Sequence, residues 1–248
     1  MTVLAVSTPA TGAARYTLRI ADGAAEIRAA QRLRYEVFAE ELGARLHTGT
    51  PGLDVDEFDR YCDHLIVVED LTAAVVGTYR MLPPGRTGRR YSDGEFELSA
   101  QAVLADDLVE TGRSCVRRDH RDGAVINLMW AGIARYMHLT GHRWLAGCAS
   151  VGLEDGGAIA SGVWDLAQRR HLAPEQYRVT PRQPWAAGPA PTGRVAVPPL
   201  LRGYLRLGAW VCGAPAYDPD FDCADFYVLL GLDRVDPRYL RHFLGDLP

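Results

Sequence analysis

The stretch from Leu108 to Met137 constrains this chain more than any other, because three segments of different character follow one another without a break. Leu108-Val-Glu110-Thr-Gly-Arg113-Ser-Cys-Val116 is short and apolar-rich, as a strand requires. Arg117-Arg118-Asp-His-Arg121-Asp-Gly123 is charged and ends in glycine, and Ala124 to Met137 repeats apolar residues at helical spacing. The predicted order is strand, charged loop, helix. A helix N-terminus offers unpaired N–H groups and the positive end of a dipole to an anion. Gly123 permits close approach to the backbone, and Arg117, Arg118 and Arg121 add groups that can hold a phosphate bidentately. The loop and the helix start, Gly123 and Ala124, read as a phosphate seat; a solvated turn is the plain alternative.

Composition narrows the options around that junction. At 248 residues the chain is one large domain or two small ones, and its 48% hydrophobic content is ample for a packed core. A formal net charge of −4 supplies no general attraction to nucleic acid. Every basic side chain among the 27 is arginine, so a Schiff base or a catalytic lysine is excluded. Five cysteines at wide spacing, with no C-x-x-C pair, read as reduced cytosolic thiols. Residues 1–14 lack the basic start and long apolar core of a signal peptide and are expected to be disordered, and no run approaches the ~20 apolar residues of a membrane span. A cytoplasmic protein is expected.

Read in order, Arg15–Ile20 alternates as a strand, and Ala24–Leu42 forms a helix that places Arg34 on the same face as Ile27, Ala30, Phe38 and Leu42. A charge there calls for a partner, and Asp56 or Asp59 is the expected one, with snorkelling to the edge as the alternative. The acidic run Asp54-Val-Asp56-Glu57-Phe-Asp59 lacks the glycine and distal glutamate of a calcium loop, so no metal is expected; Asp54 and Glu57 read as a solvated cap. His64–Val68 and Ala73–Leu82 are strands, with Arg80 near the end of the second and His64 and His142 as edge residues. Arg86–Tyr91 is a basic loop, either a surface turn or a docking site for an acidic carrier protein. Arg143–Ala149 is a strand, Glu154 to Ala167 a capped helix, and 171–198 an irregular excursion. Helices at Pro198–Leu207 and Pro237–Leu244 and strands at Ala209–Cys212 and Asp225–Leu230 close the chain.

Several of these segments resemble a known superfamily. Arg118-Asp-His-Arg121-Asp-Gly123 resembles the acyl-carrier loop of the GNAT N-acyltransferases, Arg/Gln-x-x-Gly-x-Gly/Ala, with arginine in place of the first glycine. Glu110-Thr-Gly-Arg113-Ser-Cys-Val116, Arg34-Tyr-Glu-Val-Phe38 and Asp56-Glu-Phe-Asp59 look like the acyl-homoserine lactone synthase branch. The run Pro198-Pro-Leu-Leu-Arg-Gly-Tyr204-Leu-Arg-Leu-Gly208-Ala, then Gly213-x-Pro215-Ala-x-Asp218-Pro-Asp-Phe221 and Asp225-Phe226, is similar to the ornithine–acyl-carrier-protein N-acyltransferases, often labelled hemolysin-like. The resemblance covers about 15–244.

It implies an α/β (α+β) fold of GNAT type, with a mixed, mostly antiparallel central sheet and helices on both faces, in one domain over 15–248. It implies transfer of a long, optionally 3-hydroxylated, acyl chain from acyl carrier protein or acyl-CoA to the α-amine of an amino acid, ornithine first. Acyl carrier protein and the amino acid are then the partners, with no bound cofactor, no nucleic acid, and peripheral membrane contact left open. Attack of an amine on a thioester needs a base, dipoles for the oxyanion and a proton for the leaving thiol. Glu110 is the expected base, or else an ion-pair partner of Arg113 or Arg34. Backbone amides at Cys115 and Val116 are the expected oxyanion donors. Val116, Arg117, Arg118, Arg121, Gly123 and Ala124 hold the pantetheine arm, and Arg34, Phe38, Asp56, Asp59, Arg80 and Arg113 surround the acceptor. An autoinducer or N-acyl amino acid synthase, a non-catalytic binding module and an acetyl-CoA enzyme are the alternatives. Cys148-Ala-Ser150-Val-Gly152 has the outline of a nucleophile elbow but lacks its first glycine.

Overall fold

The computed structural model describes residues 6–7, 15–193 and 195–244. In chain order its elements are β1 Val6–Ser7, β2 Tyr16–Ile20, α1 Ala24–Tyr35 continued by a π turn at Glu36–Glu41, β3 Asp63–Glu69, β4 Val75–Leu82, β5 Phe96–Glu97, β6 Leu108–Val116, α2 Ala124–Thr140, β7 Trp144–Gly152, α3 Ala158–Arg170, β8 Thr180–Pro181, α4 Pro199–Arg206, β9 Trp210–Val211, β10 Ala216–Asp218, β11 Cys223–Gly231 and α5 Pro237–Leu244. The expected strand–loop–helix junction is present as β6, a turn of 3-10 helix at Arg118–His120, and α2. Of the stretch expected to be disordered, Val6–Ser7 pair with β2, and the rest of 1–14 lies outside the described residues. The fold is mixed α/β with mostly antiparallel strands.

The chain divides into two compact units, one of residues 1–83, 111–142 and 237–248, the other of 84–110 and 143–236. In the first, the strand order is β1, β2, β3, β4 and then the Thr111–Val116 part of β6. The pairings Leu18↔Val67 and Val67↔Gly77 put these three residues on one sheet face, while His64↔Arg80 falls on the other by the two-residue alternation of strands. A Cβ on Gly77 would meet Val125 at 2.8 Å, and one on Gly132 would meet Leu18 at 2.4 Å, so α2 lies against the first face with almost no clearance. Arg34 bonds on the side of Arg80, so α1 covers the second. Leu18, Met81, Met129 and Met137 are fully buried, and each such side chain contributes about 1.5–3 kcal/mol.

In the second unit, Leu108–Glu110 of β6 pair in parallel with Trp144–Ala146 of β7. β7 then pairs along its whole length, antiparallel, with β11, and β11 carries β10 and β9. The core joins Phe96, Leu104, Leu108, Ala146, Cys212, Tyr227 and Leu229. The segment 171–198 is stitched to this unit: Ala173 N–H donates to Val211 O at 2.9 Å, Val179 N–H to Cys212 O at 2.8 Å, and β8 pairs with β5. β7 runs without a turn through Gly152, so Ser150 sits in a strand and no nucleophile elbow forms.

Candidate active site

Arg34, expected on a buried stripe, is fully buried in the first unit. Its partner is Asp59, at 2.9 and 2.8 Å, together with Asp54, whose Oδ2 lies 2.9 Å from Nε and whose carbonyl accepts from a second guanidinium nitrogen. Arg80 reaches Asp56 at 2.6 Å and Asp59 at 3.0 Å, and Arg113 lies 3.2 Å from Asp54 and 3.6 Å from Asp56. Gln31 donates to Asp59 at 2.9 Å. Three guanidinium groups thus close on three carboxylates. The expected pairing of Arg34 with Asp59 holds, and Asp56 serves Arg80 and Arg113. Asp54, read as a solvated cap, is buried instead, because Arg34 requires two acids and the turn before Asp59 supplies the second. Glu57 is exposed.

Burial alone would raise the Asp59 pKa, but hydrogen bonds and charge from Arg34, then Arg80, outweigh it and hold the carboxyl far below its usual range. Burial likewise opposes the Arg80 cation, yet Asp56 and Asp59 leave it more firmly protonated than usual. His64 is no edge residue: it is buried against this cluster, desolvation depresses its pKa, and its Nε2 lies 3.0 Å from the Asp59 carbonyl oxygen. Phe38 is buried in the π turn that extends α1, and Phe58 lies under the Arg80 guanidinium at 6.0 Å. Arg113 has φ +54°, a left-handed conformation uncommon for a side-chain-bearing residue, so β6 kinks where it enters the cluster.

The loop after β6 is held by acids of its own. Arg121 donates to both Glu41 oxygens, at 2.5 and 2.8 Å, and to the Val116 carbonyl at 2.8 Å. Arg117 donates to Asp119 at 2.8 Å and lies 2.5 Å from His120 Nε2, while His120 Nδ1 is 2.8 Å from the Tyr16 hydroxyl. His120 is therefore buried between these two side chains. The Ala124 N–H, first of α2, donates to Asp122 at 2.9 Å, and Gly123 adopts φ +100° to start the helix. The Arg117 N–H is used by Val76 O at 2.8 Å. Arg118 is exposed, with no carboxylate within ion-pair distance among the described residues. Cys115 is buried and its thiol is pushed up to about 12, first by desolvation, so the Cys115 side chain is no nucleophile at neutral pH.

Glu110 belongs to the second unit and is buried. Its carboxylate accepts from the Tyr91 N–H at 2.7 Å and the Ser92 N–H at 2.9 Å, which ties down the loop that begins with Arg86. Two backbone donors thus fix the orientation of the carboxylate. The same unit holds a group that sequence reasoning missed. Ligand-capable atoms of Glu95, Cys148 and Asp225 lie within 4.8 Å of one another, as do those of Asp218, Cys223 and Asp225. No arginine lies within ion-pair distance of these carboxylates among the described residues. Desolvation, then Asp225 and Asp218, raises the Glu95 pKa well above the carboxylate range, and desolvation raises Asp218 also. Cys148 and Cys223 are pushed up by burial and by the same acids. The donor set suits a cation, a metal ion or an ammonium, which would draw protons off as it bound. Asp218, Cys223 and Asp225 lie close along the β10–β11 hairpin, but Glu95 and Cys148 come from distant segments, so their place in the group is not legible from spacing.

Residues 33–131 match the family model described as an acetyltransferase (GNAT) domain. An L-ornithine N(alpha)-acyltransferase of Rhodobacter capsulatus is 36% identical over 246 residues, spanning 92% of this chain and 94% of that protein. The enzyme of the same name from Brucella abortus is 30% identical, over 91% and 88% of the two chains. An acyl-homoserine-lactone synthase of Vibrio anguillarum is 34% identical over 93 residues, 36% of this chain and 46% of that one. Among solved structures, the CoA-dependent acyl-homoserine lactone synthase BjaI superposes with a TM-score of 0.54 at 18% identity, over 89% of this chain and 83% of that one. FeeM, an N-acyl amino acid synthase from uncultured soil microbes, gives 0.53 at 13%, over 88% and 93%.

Proposed function

This chain belongs to the L-ornithine N(alpha)-acyltransferases, enzymes of the GNAT acyltransferase type, and from that premise we propose that it transfers a long acyl chain from acyl carrier protein to the α-amine of ornithine in ornithine-lipid synthesis. The amine nitrogen attacks the thioester carbonyl; the C–N bond forms, the C–S bond breaks, and the thiol leaves with a proton. Identity extending over nearly the whole of both chains carries the assignment. Two features of the structure favour a basic acceptor and a phosphate-bearing donor. Among the described residues the acids Glu95, Asp218 and Asp225 have no arginine within ion-pair distance, and a diamino acid brings a second ammonium that such carboxylates neutralise. Arg118 and the Gly123 turn at the start of α2 are offered to the pantetheine phosphate, although Asp122 already holds the Ala124 N–H, while Arg117 and Arg121 shape the loop around it. Glu110, held by two backbone N–H groups, takes the proton of the amine directly or through water in this reading.

Release of free thiol from long-chain acyl carrier protein, long-chain acyl-CoA and acetyl-CoA, each with and without ornithine, tests this, with the amide followed by mass spectrometry. N-acyl ornithine formed from long-chain carrier only in the presence of ornithine is the expected result. Turnover with S-adenosylmethionine in place of ornithine, and none with ornithine, would move the enzyme to the lactone synthases, as the shared segment with the Vibrio anguillarum protein would then explain.

A further inference from the structure

From Gln176 to Tyr217 the chain carries five arginines and no aspartate or glutamate, in a molecule of net charge −4. In the second unit, a groove of about 930 Å³ lies against this stretch, lined by Leu166, Arg169, Arg170, Val195, Val197 and Arg202. Arg169 is already paired with Asp165 on its own helix. Arg170 and Arg202 are exposed, and no carboxylate lies within ion-pair distance of either among the described residues. Leu166, Val195 and Val197 are half-buried and supply carbon between the guanidinium groups. The run Val195-Ala-Val-Pro-Pro-Leu-Leu201 is free of charge, with Ala196 and Pro199 exposed.

Unpaired guanidinium groups at a rim and apolar side chains beside them match a ligand with an anionic head and a hydrocarbon body. Arginine holds a phosphodiester bidentately, and the apolar run can settle among lipid carbons at the level of the head groups. We propose that this groove binds the head group of an anionic phospholipid and seats the protein on an acidic membrane surface. The site stands on the groove and the charge pattern alone and does not rest on the acyl-transfer reading, although an amphiphilic product would leave naturally into such a surface.

The test uses the full chain and sedimentation with vesicles of phosphatidylcholine, with or without phosphatidylglycerol. Partition onto the acidic vesicles, weakening as salt is raised and the Debye length falls below about 10 Å, is expected. Each lost arginine near a charged surface weakens binding about fivefold, so Arg170→Gln with Arg202→Gln should cost about thirtyfold. Val197→Asp should weaken it further by placing an acid in the groove. Thiol release from long-chain acyl carrier protein in vesicle-free buffer, and the helical circular dichroism, should be unchanged in these variants, which separates loss of lipid binding from loss of fold or of catalysis. Equal partition of the double variant and the parent, no partition of the parent, or displacement by acyl carrier protein as effective as added phosphatidylglycerol would each overturn the proposal. Release from the acidic vesicles by glycerol phosphate as complete as by excess phosphatidylglycerol would also overturn it, in favour of a site for free phosphate esters.

Discussion

Arg34 shows what a single side chain imposes on its surroundings. A fully buried guanidinium is tolerable only when its charge is answered, and here Asp59 and Asp54 answer it from a turn brought in behind α1. Asp59→Ala would leave Arg34 and Arg80 short of a counter-charge, and a loss of about 3–5 kcal/mol is expected in urea denaturation; a loss below about 1 kcal/mol would show the pair to be ornamental. The same carboxyl sets an acid limit. Its folded pKa lies below the unfolded value of about 3.9, so its contribution is complete above about pH 5 and is lost as the pH falls through about 4 and lower. Glu95 works in the opposite sense. Its folded pKa lies above the unfolded value of about 4.3, so the folded state holds a proton that the unfolded chain has released, and stability falls as the pH rises from about 5. Glu95→Gln removes that slope: thermal melts of variant and parent should coincide near pH 4 and diverge in favour of the variant towards pH 9. A raised Michaelis constant for ornithine in this variant, with donor affinity intact, is the matching expectation if the carboxyl meets the second ammonium.

At the scale of elements, what was legible and what was not divides along a physical line. The boundaries of β6 and α2 could be read because apolar period and glycine are local properties: Leu108–Val116 is one strand, and Gly123 with φ +100° starts the helix. Arg34 could be tied to Asp56 or Asp59 because a charge on a buried face must find a partner, whereas Arg80 and Arg113 carry no such local signal and are reached only through the family resemblance. The partnership of Arg121 with Glu41 could not, since it depends on a π turn that carries α1 past its regular end, and no residue type announces that turn. It alters the expected role of the loop. Arg121 is occupied, so Glu41→Gln should free a cation for the donor phosphate, lower the Michaelis constant for acyl carrier protein severalfold and steepen its salt dependence; an unchanged constant would mean that Arg121 serves the loop only. The close seat of α2 is equally hidden in sequence, where Gly132 is one small residue among many. In the structure a methyl there strikes fully buried Leu18, so Gly132→Ala should destabilise by about 1–3 kcal/mol through overpacking, against the gain a glycine-to-alanine change gives in an exposed helix.

For the molecule as a whole, β6 matters because it begins in one compact unit, at Leu108–Glu110, and ends in the other, at Thr111–Val116. A single strand cannot be kept by one unit while the other gives it up without breaking its own ladder, so the two should unfold together. The cysteines supply the reporters. Cys62 and Cys115 lie in the first unit and Cys148, Cys212 and Cys223 in the second, all as free thiols. Burial raises Cys115 and Cys212 to about 12 and sets Cys148 and Cys223 higher than an ordinary thiol. Alkylation requires the thiolate, and at pH 8 a group at about 12 is ionised about a thousandfold less than one at about 8.5. These four thiols should therefore label in the folded chain only through opening, and in increasing urea those of both units should become reactive at one midpoint that coincides with the loss of helical circular dichroism. Labelling of Cys148, Cys212 and Cys223 at a clearly lower urea concentration than Cys115 would show that the strand's two halves part company, and that the second unit opens while the arginine–aspartate cluster of the first still holds.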